Sequence, residues 1–258
     1  MTLKAKYTKQ GFILSSGVFS EKEVEEVLAL CADLPRSQRI KQNDRNLQRI
    51  QPLQRVTEIQ DPQWINHFYR APKLKQLLSS LFADVITPAP DMSRDYQITG
   101  LLIEPLDRGW STGLHRDYRD LVPDLDVDLW WQTSQDYRCF NQLNIPLLPD
   151  HCLWVIPGSH SRPDSSPESH LVEKRSEFLK LRDLPSTSSG VESTPDELEK
   201  QLLELGAVQI KANPGDVIIY RSSLLHCGIY SEKTRRMTLH DGVYSKQWHE
   251  YVLKTFAP

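Results

Sequence analysis

The first third of the chain carries apolar residues at helical spacing. A helix is predicted to begin at a capping box formed by Ser20 and Glu23 and to end at Pro35. A strand is predicted just before this helix, where small and apolar residues alternate. A second helical pattern spans 62–83, and Pro72 is expected to divide it in two.

Between the two helical patterns lies a polar stretch, 36–55, that is rich in arginine. One interpretation is a solvated loop with a short strand. The alternative is a basic rim that would attract an anionic substrate. The sequence alone leaves both open for its arginines, which are Arg36, Arg39, Arg45, Arg49 and Arg55.

From residue 95 onward, short apolar runs alternate with turn residues. Many short strands at such spacing predict a β-sandwich or barrel. Two polar stretches, 118–138 and 161–206, interrupt the strands and are predicted to be inserts, either functional lids or tolerated insertions. We therefore expect one domain over 1–258, mainly β with flanking helices.

Composition narrows the function classes. The chain has 258 residues and a net charge of −3, which gives no reason to expect nucleic acid or an anionic membrane as partner. No run approaches the length of a membrane span, and the N-terminus lacks the apolar stretch of a signal peptide. The 4 cysteines are scattered without a CxxC pair, which is typical of a reducing compartment. We expect a cytoplasmic enzyme that acts on a small molecule.

Three residues are candidate metal ligands. His115 and Asp117 lie two positions apart, so in an extended segment both side chains project from one face. His226 ends an apolar run that would form a core strand. Two histidines and one carboxylate occupy one face of an octahedral metal, as in non-haem Fe(II) oxygenases. The alternatives are a chance HxD pair and a histidine that merely ends its strand.

Two arginines follow His226 on the next predicted strand. Adjacent strand residues point to opposite faces, so only one of Arg235 and Arg236 can point inward. Arg236 shares a face with Thr238, whereas Arg235 shares one with Met237, and a polar inner face therefore favours Arg236. A bidentate arginine is well suited to hold the distal carboxylate of 2-oxoglutarate. The alternative is that both arginines lie on the surface.

Several segments resemble the phytanoyl-CoA dioxygenase family of Fe(II)/2-oxoglutarate oxygenases, and they occur along the chain in the same order as in that family. The most specific is CLWVIPGSH, between the predicted metal ligands. The others are YTKQGFILSSGVFSEKEVEEVL, GLHRD, and GDVIIYRSSLLH followed by RRMTLHDGVY. The similarity covers about 7–30 and 95–244. The chain departs from the family in its long inserts and in a slightly short loop between His226 and the arginines.

The resemblance implies a double-stranded β-helix, that is, a jelly-roll, cupin-like core. It also implies Fe(II), 2-oxoglutarate and O₂, with His115, Asp117 and His226 on the metal and one of Arg235 and Arg236 on the cosubstrate. The expected reaction is hydroxylation of a C–H bond with release of succinate and CO₂. A cupin-type metal-binding protein or isomerase without oxygenase activity is the alternative.

Weaker expectations concern the surroundings of the site. Asn144 is a candidate cosubstrate ligand or a residue that satisfies the bend before Pro146, and Gln97 is a further candidate ligand. His160 is expected to be structural. We expect the two inserts to form a lid over the metal, with 186–195 as its most mobile part. An aromatic wall of the substrate pocket, or packing of the first insert, is predicted for Trp130, Trp131 and Tyr137.

Overall fold

The computed structural model describes residues 1–32, 40–41, 48–50, 53, 70–82, 85–86, 100–105, 109–120, 122, 124–182, 194–245 and 248. Six helices lie within these residues: α1 Leu3–Gln10, α2 Glu21–Ala32, α3 Pro72–Leu81, α4 Val127–Ser134, α5 Ser166–Arg182 and α6 Pro195–Glu204. The twelve strands are β1 Phe12–Ser15, β2 Ile40–Lys41, β3 Gln48–Ile50, β4 Val85–Ile86, β5 Gly100–Ile103, β6 Trp110–Ser111, β7 Phe140–Pro146, β8 Leu153–Val155, β9 Val208–Gln209, β10 Val217–Arg221, β11 His226–Tyr230 and β12 Met237–Ser245.

The strands form two antiparallel sheets. The larger sheet has the order β1-β10-β7-β12-β5-β3-β2, with β4 also paired to β12, and the smaller has the order β6-β11-β8-β9. The inner faces of the two sheets meet, because Leu153 and Val155 of β8 pack with Ile218 and Tyr220 of β10. This arrangement confirms the jelly-roll core predicted from the sequence.

Helices α1, α2 and α3 cover the outer face of the larger sheet. Alternate residues of its strands, such as Leu143, Ile219 and Leu239, pack against Val24 of α2 and Leu74 of α3 in one buried cluster. Each such leucine contributes about 1.5–3 kcal/mol through burial of apolar surface. The intervening residues of the same strands face the inside of the roll, which leaves that face free for polar groups.

Helices α5 and α6, which belong to the second insert, cover the outer face of the smaller sheet. Leu171 of α5 and Leu198 of α6 pack with Trp154, Leu225 and other residues of that side. The described part of this insert therefore packs on the outer side of the smaller sheet, and the lid expected from the two inserts stays a prediction. Residues 183–193, which include most of the segment predicted to be mobile, lie outside the described residues.

The N-terminal helices differ in how far the pattern predicts them. Helix α2 begins as predicted, since the Ser20 backbone N–H donates to the Glu23 carboxylate at 2.7 Å. Helix α1 was not predicted, because Tyr7 is its only buried residue and no apolar periodicity marks it. Its ends are fixed instead by the Thr2 side chain, which caps the start, and by Gly11 at φ 82°. The first half of the second helical pattern, 62–69, lies outside the described residues.

The structural role expected for His160 agrees with its contacts. Its Nε2 lies 3.0 Å from the Thr8 carbonyl oxygen, and a Cβ at Gly11 would overlap the imidazole. Burial, followed by the charge of Arg221, lowers the pKa of His160 to about 4. The imidazole is therefore neutral near pH 7 and packs against the end of α1.

We predict that Gly11→Ala destabilises the protein by about 3 kcal/mol or more, because it adds a steric clash to the cost of a left-handed backbone. Gly17→Ala is the matched control: Gly17 also has positive φ, but nothing lies within 4 Å of its Cβ position. The control should lose only about 1–2 kcal/mol. Urea unfolding of both variants measures the difference, and equal losses would contradict the packing role of Gly11.

Candidate metal centre

The three predicted ligands converge inside the roll. The imidazole nitrogens of His115 and His226 and a carboxylate oxygen of Asp117 all lie within 4.8 Å of one another. Nε2 of His115 is 3.8 Å from Oδ1 of Asp117, and Nε2 of His226 is 3.6 Å from the same oxygen. All three residues are buried.

Backbone pairing fixes this convergence. His115 and His226 form an isolated antiparallel bridge, with two N–H to carbonyl bonds of 3.0 Å each. The backbone N–H of Asp117 donates to the Ser222 carbonyl at 2.9 Å. The ligands are therefore placed by main-chain hydrogen bonds, which do not depend on a bound ion.

The hydrogen bonds of the two imidazoles select one tautomer. Nδ1 of His115 lies 2.8 Å from the Gly113 carbonyl, and Nδ1 of His226 lies 2.8 Å from the Leu224 carbonyl. A carbonyl only accepts, so each Nδ1 carries the proton. Each Nε2 then keeps its lone pair and faces Asp117, which is the usual arrangement for a histidine that binds a metal.

Burial sets the charge of these groups. It lowers the pKa of His115 well below its usual value, and the neighbouring His226 lowers it further. Burial also raises the pKa of Asp117, against the opposing effects of His226 and of a hydrogen bond from Gln142. Neutral imidazole is the form that binds a metal, and a divalent cation would favour the ionised carboxylate.

The donor set fits a first-row divalent metal. Neighbouring ligand atoms at about 2.1 Å from an octahedral ion lie about 3 Å apart. The Nε2 to Oδ1 distances of 3.6 and 3.8 Å need to close by less than about one ångström to reach this value. Two nitrogens and one oxygen form a donor set that suits iron. Calcium and magnesium prefer sites made of oxygen ligands alone.

Gln142 is a site residue that the sequence analysis did not single out. Its Nε2 donates to Oδ2 of Asp117 at 2.9 Å, and this contact orients the carboxylate. Its Oε1 is buried without a hydrogen-bond partner among the described residues. The available signal was its position on β7, where it shares a strand face with Asn144.

Arg236 lies inside the roll and Arg235 lies on the surface. Arg236 is 4% exposed, whereas Arg235 is exposed to solvent. The alternation continues along β12, where Met237 and Leu239 pack toward the helices. The polar face that contains Arg236 and Thr238 is therefore the inner one.

Arg236 already has an anionic partner, which strand alternation and order along the chain do not reveal. Its Nε donates to Oδ2 of Asp150 at 2.9 Å, and Thr238 Oγ1 donates to the same oxygen at 2.5 Å. Burial would raise the pKa of Asp150, but Arg236 and these hydrogen bonds lower it. Nη1 of Arg236 is buried without a partner among the described residues. The guanidinium thus retains an N–H group that can donate a hydrogen bond to a further anion.

The weaker candidates have different outcomes. Asn144 lies on the inner face, with Oδ1 2.6 Å from Nδ1 of His240. Gln97 lies outside the described residues.

Of the arginines in 36–55, Arg49 is described, on the strand next to β5 and opposite Leu102. Burial and then the charges of Arg49 and Arg236 lower the pKa of His240 to about 3, so the inner face carries two guanidinium groups near a neutral imidazole.

An aromatic wall of four residues, Tyr118, Phe140, Tyr244 and Trp248, stands beside the metal ligands. Tyr118 directly follows Asp117 and meets the rings of Phe140 and Trp248 edge to face, at 5.4 and 5.0 Å between centroids. Phe140 shares its strand face with Gln142, and Tyr244 stacks on Phe140 at 6.3 Å. Tyr118 has φ 64°, a strained value for a residue with a side chain.

The three aromatic residues of the first insert pack around the core. Trp130 is fully buried in the same cluster as Phe140 and Trp248. Trp131 lies beside it, and Tyr137 stacks on Phe82 at 6.2 Å, on the helical side of the larger sheet. The packing alternative therefore describes these three residues, and the aromatic wall is formed mainly by residues outside the insert.

Two buried arginines hold the HxD segment in place. Arg116 is fully buried, and its guanidinium donates to the carbonyls of Ser159 and Ser223 and to the carboxylate of Asp164. It thereby ties the HxD segment to the PGSH loop and to the residues before His226. Arg175 of α5 donates to the carbonyls of Thr112 at 2.7 Å and Asp120 at 2.9 Å, which anchors the second insert to both ends of this segment.

The fold and the site define a jelly-roll protein with a buried His-Asp-His group that could hold a metal ion. The sequence profile of the phytanoyl-CoA dioxygenase (PhyH) family matches residues 7–237. The chain belongs to this family. No match was found among curated protein sequences.

Solved structures of low sequence identity share the fold. The α-ketoglutarate-dependent epimerase SnoN of nogalamycin biosynthesis has a TM-score of 0.58 at 15% identity, covering 94% of this chain and 82% of its own. The carbocyclase SnoK of the same biosynthesis has 0.57 at 18%, covering 95% and 84%. EctD from S. alaskensis, with 2-oxoglutarate and 5-hydroxyectoine, has 0.56 at 16%, covering 96% and 77%. None of the described helices is long and apolar enough to cross a membrane.

We predict that Arg116→Lys weakens Co(II) binding at least tenfold and destabilises the fold by about 2–4 kcal/mol, because lysine cannot reach all the carbonyls that Arg116 bridges. Arg119→Lys is the matched control. Arg119 pairs with the same Asp164 at 2.8 Å, and lysine keeps the charge at this position, so the substitution should cost about 1 kcal/mol or less. Metal titration and urea unfolding test both variants, and equal effects would refute the clamping role of Arg116.

Proposed function

We propose that the protein is an Fe(II)/2-oxoglutarate-dependent dioxygenase that hydroxylates a C–H bond of a small molecule and releases succinate and CO₂. The observation that carries this proposal is the convergence of His115, Asp117 and His226, with both Nε2 atoms within 4 Å of one carboxylate oxygen of Asp117. Iron, 2-oxoglutarate and O₂ supply the oxidising chemistry when bound.

In this proposal the chain supplies placement and protection. His115, Asp117 and His226 hold Fe(II) from one side, and Gln142 keeps one carboxylate oxygen of Asp117 turned away from the histidines. A carboxylate at position 117 favours hydroxylation over halogenation, which needs a small residue there to admit a halide. The aromatic wall limits access of water and favours a substrate with an apolar or ring-bearing part.

Arg236 is proposed to hold the distal carboxylate of 2-oxoglutarate. Its Nη1, which has no partner in the described part of the chain, supports this role, and its bond to Asp150 fixes the orientation of the guanidinium. Asn144 and Gln97 stay as proposed cosubstrate ligands, and Arg235 is disfavoured by its exposure. The reducing cytoplasm is the proposed compartment, since Cys31, Cys139, Cys152 and Cys227 are all free thiols.

One observation favours a second candidate, a cupin-type metal protein or isomerase without oxygenase activity. The ion pair between Arg236 and Asp150 neutralises the guanidinium and would suit a purely structural role. The two candidates differ in whether 2-oxoglutarate is consumed. The reaction itself also has alternatives, because similar folds include an epimerase and a carbocyclase.

We expect succinate to form when the iron-loaded protein is incubated with 2-oxoglutarate, O₂ and the library metabolite that is its substrate. His226→Ala should retain the fold and lose both Co(II) binding and substrate-dependent succinate release. A product that gains one oxygen atom identifies hydroxylation; an unchanged mass identifies epimerisation, and loss of two hydrogens identifies cyclisation or desaturation. Metal binding without any succinate from any pool would favour the cupin-type alternative.

The roles of the two arginines are separated by matched variants. Arg236→Ala should weaken 2-oxoglutarate binding by about 100-fold or more, because it removes a charge-assisted contact in a buried site, while metal binding is retained. Arg235→Ala should leave both affinities unchanged. Calorimetric titration of the Co(II)-loaded variants without O₂ gives both affinities. The reverse result would assign the cosubstrate to Arg235, and no effect from either would refute the arginine assignment.

A further inference from the structure

On the inner face of β11, Gly228 has no side chain, and the side chain of Tyr230 from the same strand occupies that space. His226, Gly228 and Tyr230 alternate onto this face, because Cys227 and Ile229 pack against the outer cluster. The ring of Tyr230 folds back over Gly228. A Cβ at Gly228 would overlap the hydroxyl and the ring carbons of Tyr230.

The Tyr230 ring is held firmly in this position. It stacks on Trp110 with 5.2 Å between centroids and 14° between planes. The guanidinium carbon of Arg236 lies over the ring, 4.9 Å from its centroid. Tyr230 is 9% exposed, so the ring forms a wall and not a mobile side chain.

Tyr230 and Arg236 also line an open cleft. The cleft has a volume of about 390 Å³ and is lined by both residues together with Lys233, Thr234 and Pro195, among others. The hydroxyl of Tyr230 lies over Gly228, on the strand face that also carries His226. The inner face of β11 near Arg236 is therefore covered by a tyrosine whose hydroxyl lies on the same face as a candidate metal ligand.

The chemistry of this hydroxyl is that of a donor. Burial raises the pKa of Tyr230 above its usual value, and the charge of Arg236 only partly opposes this effect. The phenol therefore keeps its proton at neutral pH. The Arg236 guanidinium lies over the Tyr230 ring, and its Nη1 has no partner among the described residues, so the phenol and the guanidinium are two donors in contact with each other.

We propose that Tyr230 is a cosubstrate-binding residue that forms, with Arg236, the floor of the 2-oxo acid pocket. Its hydroxyl donates to the distal carboxylate, and its ring limits the chain length of the acid. Gly228 is required because Tyr230 occupies the space of any larger side chain there. This inference rests on the proposed dioxygenase function and assigns the selectivity of its cosubstrate site.

The hydroxyl is tested by Tyr230→Phe in the Co(II)-loaded protein without O₂. Calorimetric titration should show 2-oxoglutarate binding weakened by about tenfold, with Co(II) affinity and thermal stability close to those of the wild type. Tyr137→Phe is the control, because that tyrosine lies on the helical side and should change neither affinity. Wild-type affinity in Tyr230→Phe would overturn the hydrogen-bonding role.

The ring is tested by acid length and by a paired substitution. Tyr230→Leu should deepen the pocket and shift preference from 2-oxoglutarate toward 2-oxoadipate, which is one methylene longer. Gly228→Ala should weaken 2-oxoglutarate binding, and combining it with Tyr230→Leu should restore part of the loss. An unchanged preference for acid length would contradict the proposal that the Tyr230 ring limits the length of the bound acid. Failure of the metal-loaded wild type to bind any 2-oxo acid would instead refute the proposed function itself.

Discussion

The antiparallel bridge between His115 and His226 is the contact on which the site depends. It joins two segments that are far apart in sequence and places both imidazoles on the inner side of the smaller sheet. Burial of two imidazoles and a carboxylate is unfavourable unless their polar atoms find partners. Carbonyls satisfy each Nδ1 and Gln142 satisfies one oxygen of Asp117, so the atoms left over are the three that face one another.

The two-residue period of the strands lets the same elements build the core and the site. On β7, Leu143 and Ile145 pack under the helices, while Gln142 and Asn144 face inward. The larger sheet can therefore bury its outer face against α1, α2 and α3 without constraining the chemistry of its inner face. The helices of the second insert do the same for the smaller sheet, and Arg175 of α5 also binds carbonyls on both sides of the HxD pair.

This periodicity also determines how much the sequence could predict. The strands, the convergence of His115, Asp117 and His226, and the inward direction of Arg236 follow from local alternation and order along the chain. Asp150 and Tyr230 could not be found in that way, because their roles arise from contacts between strands. Helix α1 carries no apolar pattern, and the aromatic wall combines residues as distant as Tyr118 and Trp248. Gln97 and most of the 36–55 arginines lie outside the described residues.

The pairing of Arg236 with Asp150 affects how the proposed cosubstrate pocket can bind a carboxylate. A guanidinium that already has a carboxylate partner attracts a second carboxylate less strongly than a free one would, since Asp150 repels the newcomer at close range. Orientation then has to replace net charge as the source of affinity. Asp150 holds Nε, while Nη1 has no partner among the described residues, and in the proposed pocket a neutral donor such as the Tyr230 hydroxyl would add a hydrogen bond without adding charge. A site built from such directional donors favours an acid of one length over other anions, because each donor is satisfied at a single carboxylate position.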